Sequence, residues 1–183
     1  MADSKTLEER MKRIRLMILD VDGVLTDGGI YMGPDGEAMK RFDIKDGTGV
    51  VLWRRAGGLT AILTGRSSRI VENRARELQI SVVSQGCSDK RAAYEAVKEE
   101  LQIANEEVAY IGDDIIDLPV MCQVGLPIAV ADAVPEVKKK ALFVTDHAGG
   151  HGAIREAVER ILRAQGRYEK AAAVYLSSEG DDE

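Results

Sequence analysis

Asp20 and Asp22 stand two residues apart, directly after the apolar run Leu16 to Leu19 and directly before Gly23. Along an extended chain the side chains at i and i+2 leave the same face, so both carboxylates project together, roughly 6 to 7 Å apart, where the strand ends. Like charges held that close need a divalent cation between them or a proton on one of them. The pair therefore predicts chemistry rather than packing, since either device, a bound cation or a retained proton, is chemistry.

Three further polar signals fall where other strands should end. Thr64-Gly65-Arg66 follows the apolar run Leu59 to Leu63, Lys90 opens a helical segment after a third strand, and Gly112-Asp113-Asp114 with Asp117 follows Val108 to Ile111. A hydroxyl beside a backbone N–H at a glycine can donate to phosphoryl oxygens, and a lysine supplies a compact positive charge. Asp113 can complete an oxygen-rich site with Asp20 that suits Mg²⁺, a cation that takes one or two carboxylates and keeps several waters.

The elements that must position these groups alternate in type. Apolar stretches at 16–19, 59–64, 80–83, 108–111, 127–130 and 142–144 read as strands, and stretches at 47–56, 67–78, 88–101, 115–121, after Pro135 and at 152–164 read as helices. This pattern predicts an α/β fold, a doubly wound parallel sheet that binds its ligand beyond the C-terminal ends of the strands. Between the first two strands, Gly33-Pro34-Asp35-Gly36 is a strong turn signal, so residues 28–44 are expected to form a β-hairpin flap. Residues 1–13 read as an N-terminal extension and 14–165 as the domain. Residues 166–183 read as a tail that is mobile alone, able to bind a neighbour, and disordered at its acidic end.

Composition narrows the partners. The 183 residues include 45% hydrophobic and 31% charged types, enough for one core of ordinary size. No apolar run approaches the length of a bilayer span, and the charged N-terminal stretch lacks the apolar core of a secretory signal, so no membrane partner and a cytoplasmic location are expected. Net charge is −6, with four acids in the last five positions, and no basic block resembles a nucleic-acid footprint. Lys138 to Lys140 fit the last turn of a short helix. Cys87 and Cys122 form no C-x-x-C pattern, which predicts reduced, buried thiols. His147 and His151 have i, i+4 spacing, but Gly149 and Gly150 between them argue against a helical zinc face.

In this order, Asp20-x-Asp22-Gly23-Val24, Thr64-Gly65, Lys90 and Gly112-Asp113-Asp114-x-x-Asp117 resemble the four motifs of the haloacid dehalogenase superfamily of phosphotransferases. The resemblance implies that Asp20 is a nucleophile that becomes an aspartyl phosphate. Asp22 would protonate the leaving alkoxide and then activate water. It also implies Mg²⁺ held by Asp20, the backbone carbonyl of Asp22, and Asp113, with Asp117 in support, while Thr64 and Lys90 hold phosphoryl oxygens. About 40 residues separate Asp22 from Thr64 and about 22 separate Lys90 from Asp113, which leaves no room for a cap domain.

Along 14–166 the chain further resembles the 3-deoxy-D-manno-octulosonate 8-phosphate phosphatases. The resemblance is carried by Leu19 to Gly28, Ile30 to Gly33, Lys45 to Gly47, Thr64 to Arg66, Val108 to Met121, Val130 to Ala133 and Ala148 to Glu156. It implies hydrolysis of that sugar-acid phosphate in lipopolysaccharide precursor synthesis by a homotetramer joined through the hairpin, with a C-terminal tail closing a neighbour's site. Substrate contacts are implied for Asp22, Asp43, Ile44, Lys45, Asp46, Gly47, Gly65, Arg66, Arg74 and Lys90.

Two other functions compete. A phosphatase of nine-carbon keto sugar acid phosphates would use the same scaffold and differ in a few substrate-facing side chains. A phosphoacceptor receiver, a signalling module, also groups acids, a hydroxyl, a lysine and Mg²⁺, but its acceptor Asp lies centrally in the chain rather than after the first strand. Individually, Asp113 and Asp114 read equally as helix caps, Lys90 and the arginines as surface residues, and Lys45 and Asp46 as servants of a helix entry.

Overall fold

The computed structural model describes residues 4–176; the predicted acidic end at 179–183 lies outside them. In chain order the first half contains α1 (Ser4–Arg13), β1 (Leu16–Leu19), β2 (Tyr31–Gly33), β3 (Gly36–Met39), α2 (Ile44–Arg55), β4 (Leu59–Leu63), α3 (Arg69–Leu78) and β5 (Val82–Ser84). The second half contains α4 (Lys90–Leu101), β6 (Val108–Gly112), α5 (Leu118–Met121), β7 (Leu126–Ala129), α6 (Pro135–Lys140), β8 (Phe143–Val144), α7 (Ala153–Ala164) and α8 (Tyr168–Leu176).

Six strands form one parallel sheet in the order β5-β4-β1-β6-β7-β8. Every residue of β1, β6 and β7 is buried, which is why these strands read as unbroken apolar runs rather than alternations. The chain winds outward from β1 through β4 to β5, crosses back to β6, and then winds the other way. β1 and β6 therefore flank the reversal where open α/β sheets place their ligand crevice. One helix layer unites α1, α2, α3, α7 and α8, and the other unites α4, α5 and α6. Trp53, fully buried, anchors α2 by donating from Nε1 to the Leu59 carbonyl at 2.7 Å.

The expected doubly wound sheet and hairpin are present, with local differences that have physical causes. α2 begins at Ile44 rather than 47 because the Asp43 carboxylate caps it, accepting from the Lys45 and Asp46 backbone N–H groups at 2.7 and 3.3 Å. β5 starts two residues later than expected because Gln79 adopts a left-handed conformation and Ile80 N donates to Ala75 O, closing the helix end. The predicted helix at 115–121 divides into a 3₁₀ turn, Ile115–Asp117, and α5. Met11 of α1 is buried, and Gln165 Nε2 donates to the Met11 and Ile14 carbonyls, so the N-terminal extension docks on the fold.

One expectation is corrected, and the tail takes a defined form. The segment after Gly166 forms α8, which buries Ala171 and Ala172 and stacks Tyr168 and Tyr175 against Arg163 and Arg55. Small residues on one face of this helix allow close packing on the same chain. Cys122, expected to be buried, is exposed, while Cys87 is half-buried; both are free. Among the described residues no helix is long and apolar enough to cross a membrane.

Candidate active site

Asp20 continues β1 in an extended conformation, and the chain then wraps into a wide turn, Val21–Leu25, in which Thr26 N donates to Val21 O at 2.9 Å. Gly23 sits in this turn at φ +95°, and a Cβ there would overlap the Asp113 carboxylate. Glycine is thus required both by the backbone and by the acid opposite. A second loop braces the turn from behind: Gly150 N donates to Val24 O at 2.9 Å, and a Cβ on Gly149 would overlap the Gly23 carbonyl.

Asp20, at the end of β1, and Asp113, just past the end of β6, meet Asp117 in one cluster whose ligand oxygens all lie within 4.8 Å of one another. Lys90 reaches in from the first turn of α4, with Nζ 2.9 Å from Asp20 Oδ1 and 2.7 Å from Asp117 Oδ1. Tyr110 donates to the same Asp117 oxygen at 2.6 Å, while Asp117 Oδ2 accepts from the backbone N–H groups of Asp113 and Asp114. Both Asp117 oxygens are therefore engaged within the protein, where they hold Lys90 and the Asp113 backbone in place. Asp114 caps the following turn, accepting from Ile115 N at 2.6 Å.

The electrostatics follow from burial and crowding. Burial pushes the Asp20 pKa up to about 6; the Asp117 charge adds to the rise and Lys90 opposes it. Asp113 is pushed up to about 7 by burial and by the charges of Asp117, Asp20 and Asp114. For Lys90, burial disfavours the ammonium, but Asp20 and Asp117 outweigh it and hold the pKa above its ordinary value.

The donor set fits Mg²⁺. Asp113 Oδ1 is buried and has no hydrogen-bond partner among the described residues, and Asp20 turns its carboxylate toward the same space. An orphaned buried anionic oxygen among three acids with a single lysine is what a hard cation would satisfy.

Thr64 and Gly65 follow β4 on the facing side. With Asp20, Asp22, Arg66, Asp113, Asp114 and Ile116 they line a cleft of about 190 Å³. Asp22 stands at its edge with one oxygen ion-paired to Lys40 and the other 3.7 Å from Arg66 Nε. Lys40 comes from the end of the hairpin, and its side chain is 1% exposed. It also pairs with Glu37 at 2.9 Å, and Glu37 accepts from Ser68 Oγ. Lys40, Glu37, Ser68 and Tyr110 escaped the sequence reading. The charged pair Lys40-Arg41 after the hairpin strand looks like a solvated face, and only tertiary placement turns Lys40 inward.

The other predicted substrate residues lie apart from this cleft. Ile44, Gly47 and Arg74 line a second one of about 180 Å³, with Thr48, Val51, Glu77, Leu78 and Tyr175. Asp43 caps α2, and Lys45 is exposed beside it. Asp46 is 1% exposed and serves a helix instead, its two oxygens accepting from Gly152 N and Arg155 N, each at 3.0 Å, to cap α7. His147 and His151 lie in the bracing loop, the first 2.8 Å from Glu156 and the second 2.8 Å from the Gly149 carbonyl.

Comparison with known proteins gives concordant likenesses. A family model described as haloacid dehalogenase-like hydrolase matches residues 73–157. The 3-deoxy-D-manno-octulosonate 8-phosphate phosphatase of Yersinia pestis is 49% identical over 168 residues, covering 92% of this chain and 90% of the relative. A crystal structure of that enzyme superposes with a TM-score of 0.87 at 49% identity, covering 90% of this chain and 89% of the other. The enzyme of Moraxella catarrhalis, crystallised with a magnesium ion, a phosphate ion and 3-deoxy-D-manno-octulosonate, superposes with a TM-score of 0.89 at 37% identity, covering 92% and 97%.

Proposed function

The chain belongs to the haloacid dehalogenase-like hydrolases, in the family of 3-deoxy-D-manno-octulosonate 8-phosphate phosphatases, and we propose from this premise how its own residues hydrolyse that ester. Asp20, Asp113 and the backbone carbonyl of Asp22 would hold Mg²⁺, which supplies charge neutralisation where an anionic nucleophile meets an anionic ester. The observation that carries the reading is the single cluster of Asp20, Asp113 and Asp117, with Lys90 on Asp20 and one Asp113 oxygen left unsatisfied.

In the proposed sequence an Asp20 oxygen attacks phosphorus as the ester P–O bond breaks, and Asp22 gives a proton to the departing alkoxide. Asp22 then takes a proton from the water that attacks the phosphorus of the aspartyl phosphate, releasing phosphate and restoring Asp20. Thr64, Gly65 and Lys90 bind the phosphoryl oxygens through a hydroxyl, a backbone N–H and an ammonium. Asp117, fixed by Tyr110, keeps Lys90 aimed at Asp20.

Substrate contacts beyond the phosphoryl group are assigned to Arg66 at the cleft and to the second cleft edged by Ile44, Gly47 and Arg74, with Asp43 and Lys45 beside it. A cleft of about 190 Å³ admits the phosphoryl end of an eight-carbon ester and leaves the carboxylate end uncovered. Ile30, Tyr31, Met32 and Met39 on the hairpin are 42–65% exposed, an apolar surface suited to a second copy of this chain. We assign the hairpin to a homotetramer contact and α8, with Val174, Tyr175 and Leu176 exposed, to the covering of a neighbouring site. A monomer by light scattering at assay concentration would contradict the assembly. Two free thiols agree with the reducing cytoplasm.

Phosphate release over a panel of eight- and nine-carbon keto-acid phosphates, with and without Mg²⁺, tests the function. The eight-carbon 8-phosphate is expected to give the highest kcat/KM, and only with the metal. Preference for a nine-carbon ester would move the enzyme to the neighbouring specificity.

A further inference from the structure

We infer that Lys40 is a positioning residue that sets the catalytic geometry of Asp22, and that Glu37 and Ser68 hold it there; the inference rests on the proposed role of Asp22 as acid and base. Asp22 occupies a turn at the rim of the cleft, and its side chain is 21% exposed. Nothing in the turn itself fixes its carboxylate. Lys40 grips one oxygen from a side chain that is 1% exposed, and Arg66 faces the other at 3.7 Å.

The grip continues beyond Lys40. Its Nζ lies 2.9 Å from Glu37 Oε2, while Glu37 Oε1 accepts from Ser68 Oγ. Ser68 caps α3, accepting from Val71 N, and its own N–H donates to Gln85 at 2.8 Å. A chain of polar contacts thus runs from a helix N-terminus in the main domain, through the hairpin, to Asp22. Surface lysines lose much rotamer freedom when fixed and are seldom buried unless paired. Here both partners of the buried ammonium are acids, and only one of them takes part in the reaction. The hairpin therefore contributes a side chain to the site as well as an outer surface.

A purely structural ion pair would also destabilise the fold when broken, so stability alone does not separate the two roles. A double-mutant cycle does. Lys40→Met should lower kcat about 10- to 100-fold, the range for misplacing a reacting group by about 1 Å, with KM changed less than about threefold. In the Asp22→Asn background the same substitution should have less than about a twofold further effect, because the group it positions is already gone. Glu37→Gln, which keeps the side-chain volume, should show the same split to a smaller degree, and it serves if Lys40→Met fails to fold.

Equal losses from the Lys40 and Glu37 substitutions in the presence and absence of Asp22, a change confined to KM, or an unaltered kcat would each overturn the inference. The cycle is run in parallel on the eight-carbon ester and on a simple alkyl phosphate. Wild-type enzyme idle on the first but active on the second would overturn the substrate reading, and the cycle on the second would still decide the role of Lys40.

Discussion

The ammonium of Lys90 lies 2.9 Å from the carboxylate of Asp20, and each side chain is 4% exposed. A buried cation on the proposed nucleophile restrains its rise in pKa and stands ready for the phosphoryl oxygens. Lys90→Met should therefore lower kcat/KM about 10²- to 10³-fold, the cost of removing one fixed donor from a developing anion. It should also lower the melting temperature, since Asp117 keeps a buried charge without its cation. Steady-state assays and calorimetry on the same variant check both, and loss of stability with unchanged kcat/KM would assign Lys90 to folding alone.

Raised acids make the metal site sensitive to pH. Asp113 near 7 and Asp20 near 6 both lie above their unfolded values, so the folded protein binds more protons than the unfolded chain between about pH 4 and 7. The metal-free protein should lose stability as pH rises through that window, because each deprotonation places a charge where burial and neighbouring acids outweigh Lys90. Mg²⁺ competes with those protons. Its stabilising effect on the melting temperature should be large at about pH 8 and small at about pH 5. Equal stabilisation at both would contradict the assignment of these acids as ligands.

Gly23→Ala probes the turn between nucleophile and acid. Its added methyl group meets Asp113, and the residue keeps φ +95°. A loss of about 1 kcal/mol or more is expected from the backbone alone, together with weaker Mg²⁺ binding as Asp113 is displaced. Isothermal titration with Mg²⁺ measures the second effect, and wild-type affinity in this variant would contradict the close packing of the two loops.

Asp46→Ala separates structure from substrate binding. Its carboxylate caps α7 through Gly152 and Arg155, so its removal should cost about 1–2 kcal/mol and several degrees of melting temperature. KM for the sugar-acid phosphate should stay within about twofold. A tenfold rise in KM with an unaltered melting temperature would restore Asp46 to the substrate.

The sheet and its acidic rim were legible because buried parallel strands are written as apolar runs and because Asp20, Thr64 and Asp113 each follow such a run directly. Lys40 was illegible for the opposite reason. It is distant in sequence from Asp22, lies among other charges, and acquires its role only when the hairpin folds over the turn. Asp46 was ambiguous for a related reason: a polar residue beside a glycine at a helix entry looks the same whether it faces substrate or the N-terminus of α7. The helix after Gly166 was obscured by its length, since a nine-residue helix with few charges gains order only by docking Ala171 and Ala172 on its own chain.

The most direct test of the central claim is to quench the enzyme with acid during turnover of a ³²P-labelled ester, reduce the acyl phosphate with borohydride, and map the modified residue by mass spectrometry. Protein-bound ³²P is expected before reduction, and homoserine in place of Asp20 once hydride has displaced the phosphate; both are absent when Mg²⁺ is removed and absent in Asp20→Asn. Reduction mapped to any other side chain, or turnover by Asp20→Asn at a rate near that of the wild type, would contradict the assignment of Asp20 as the nucleophile.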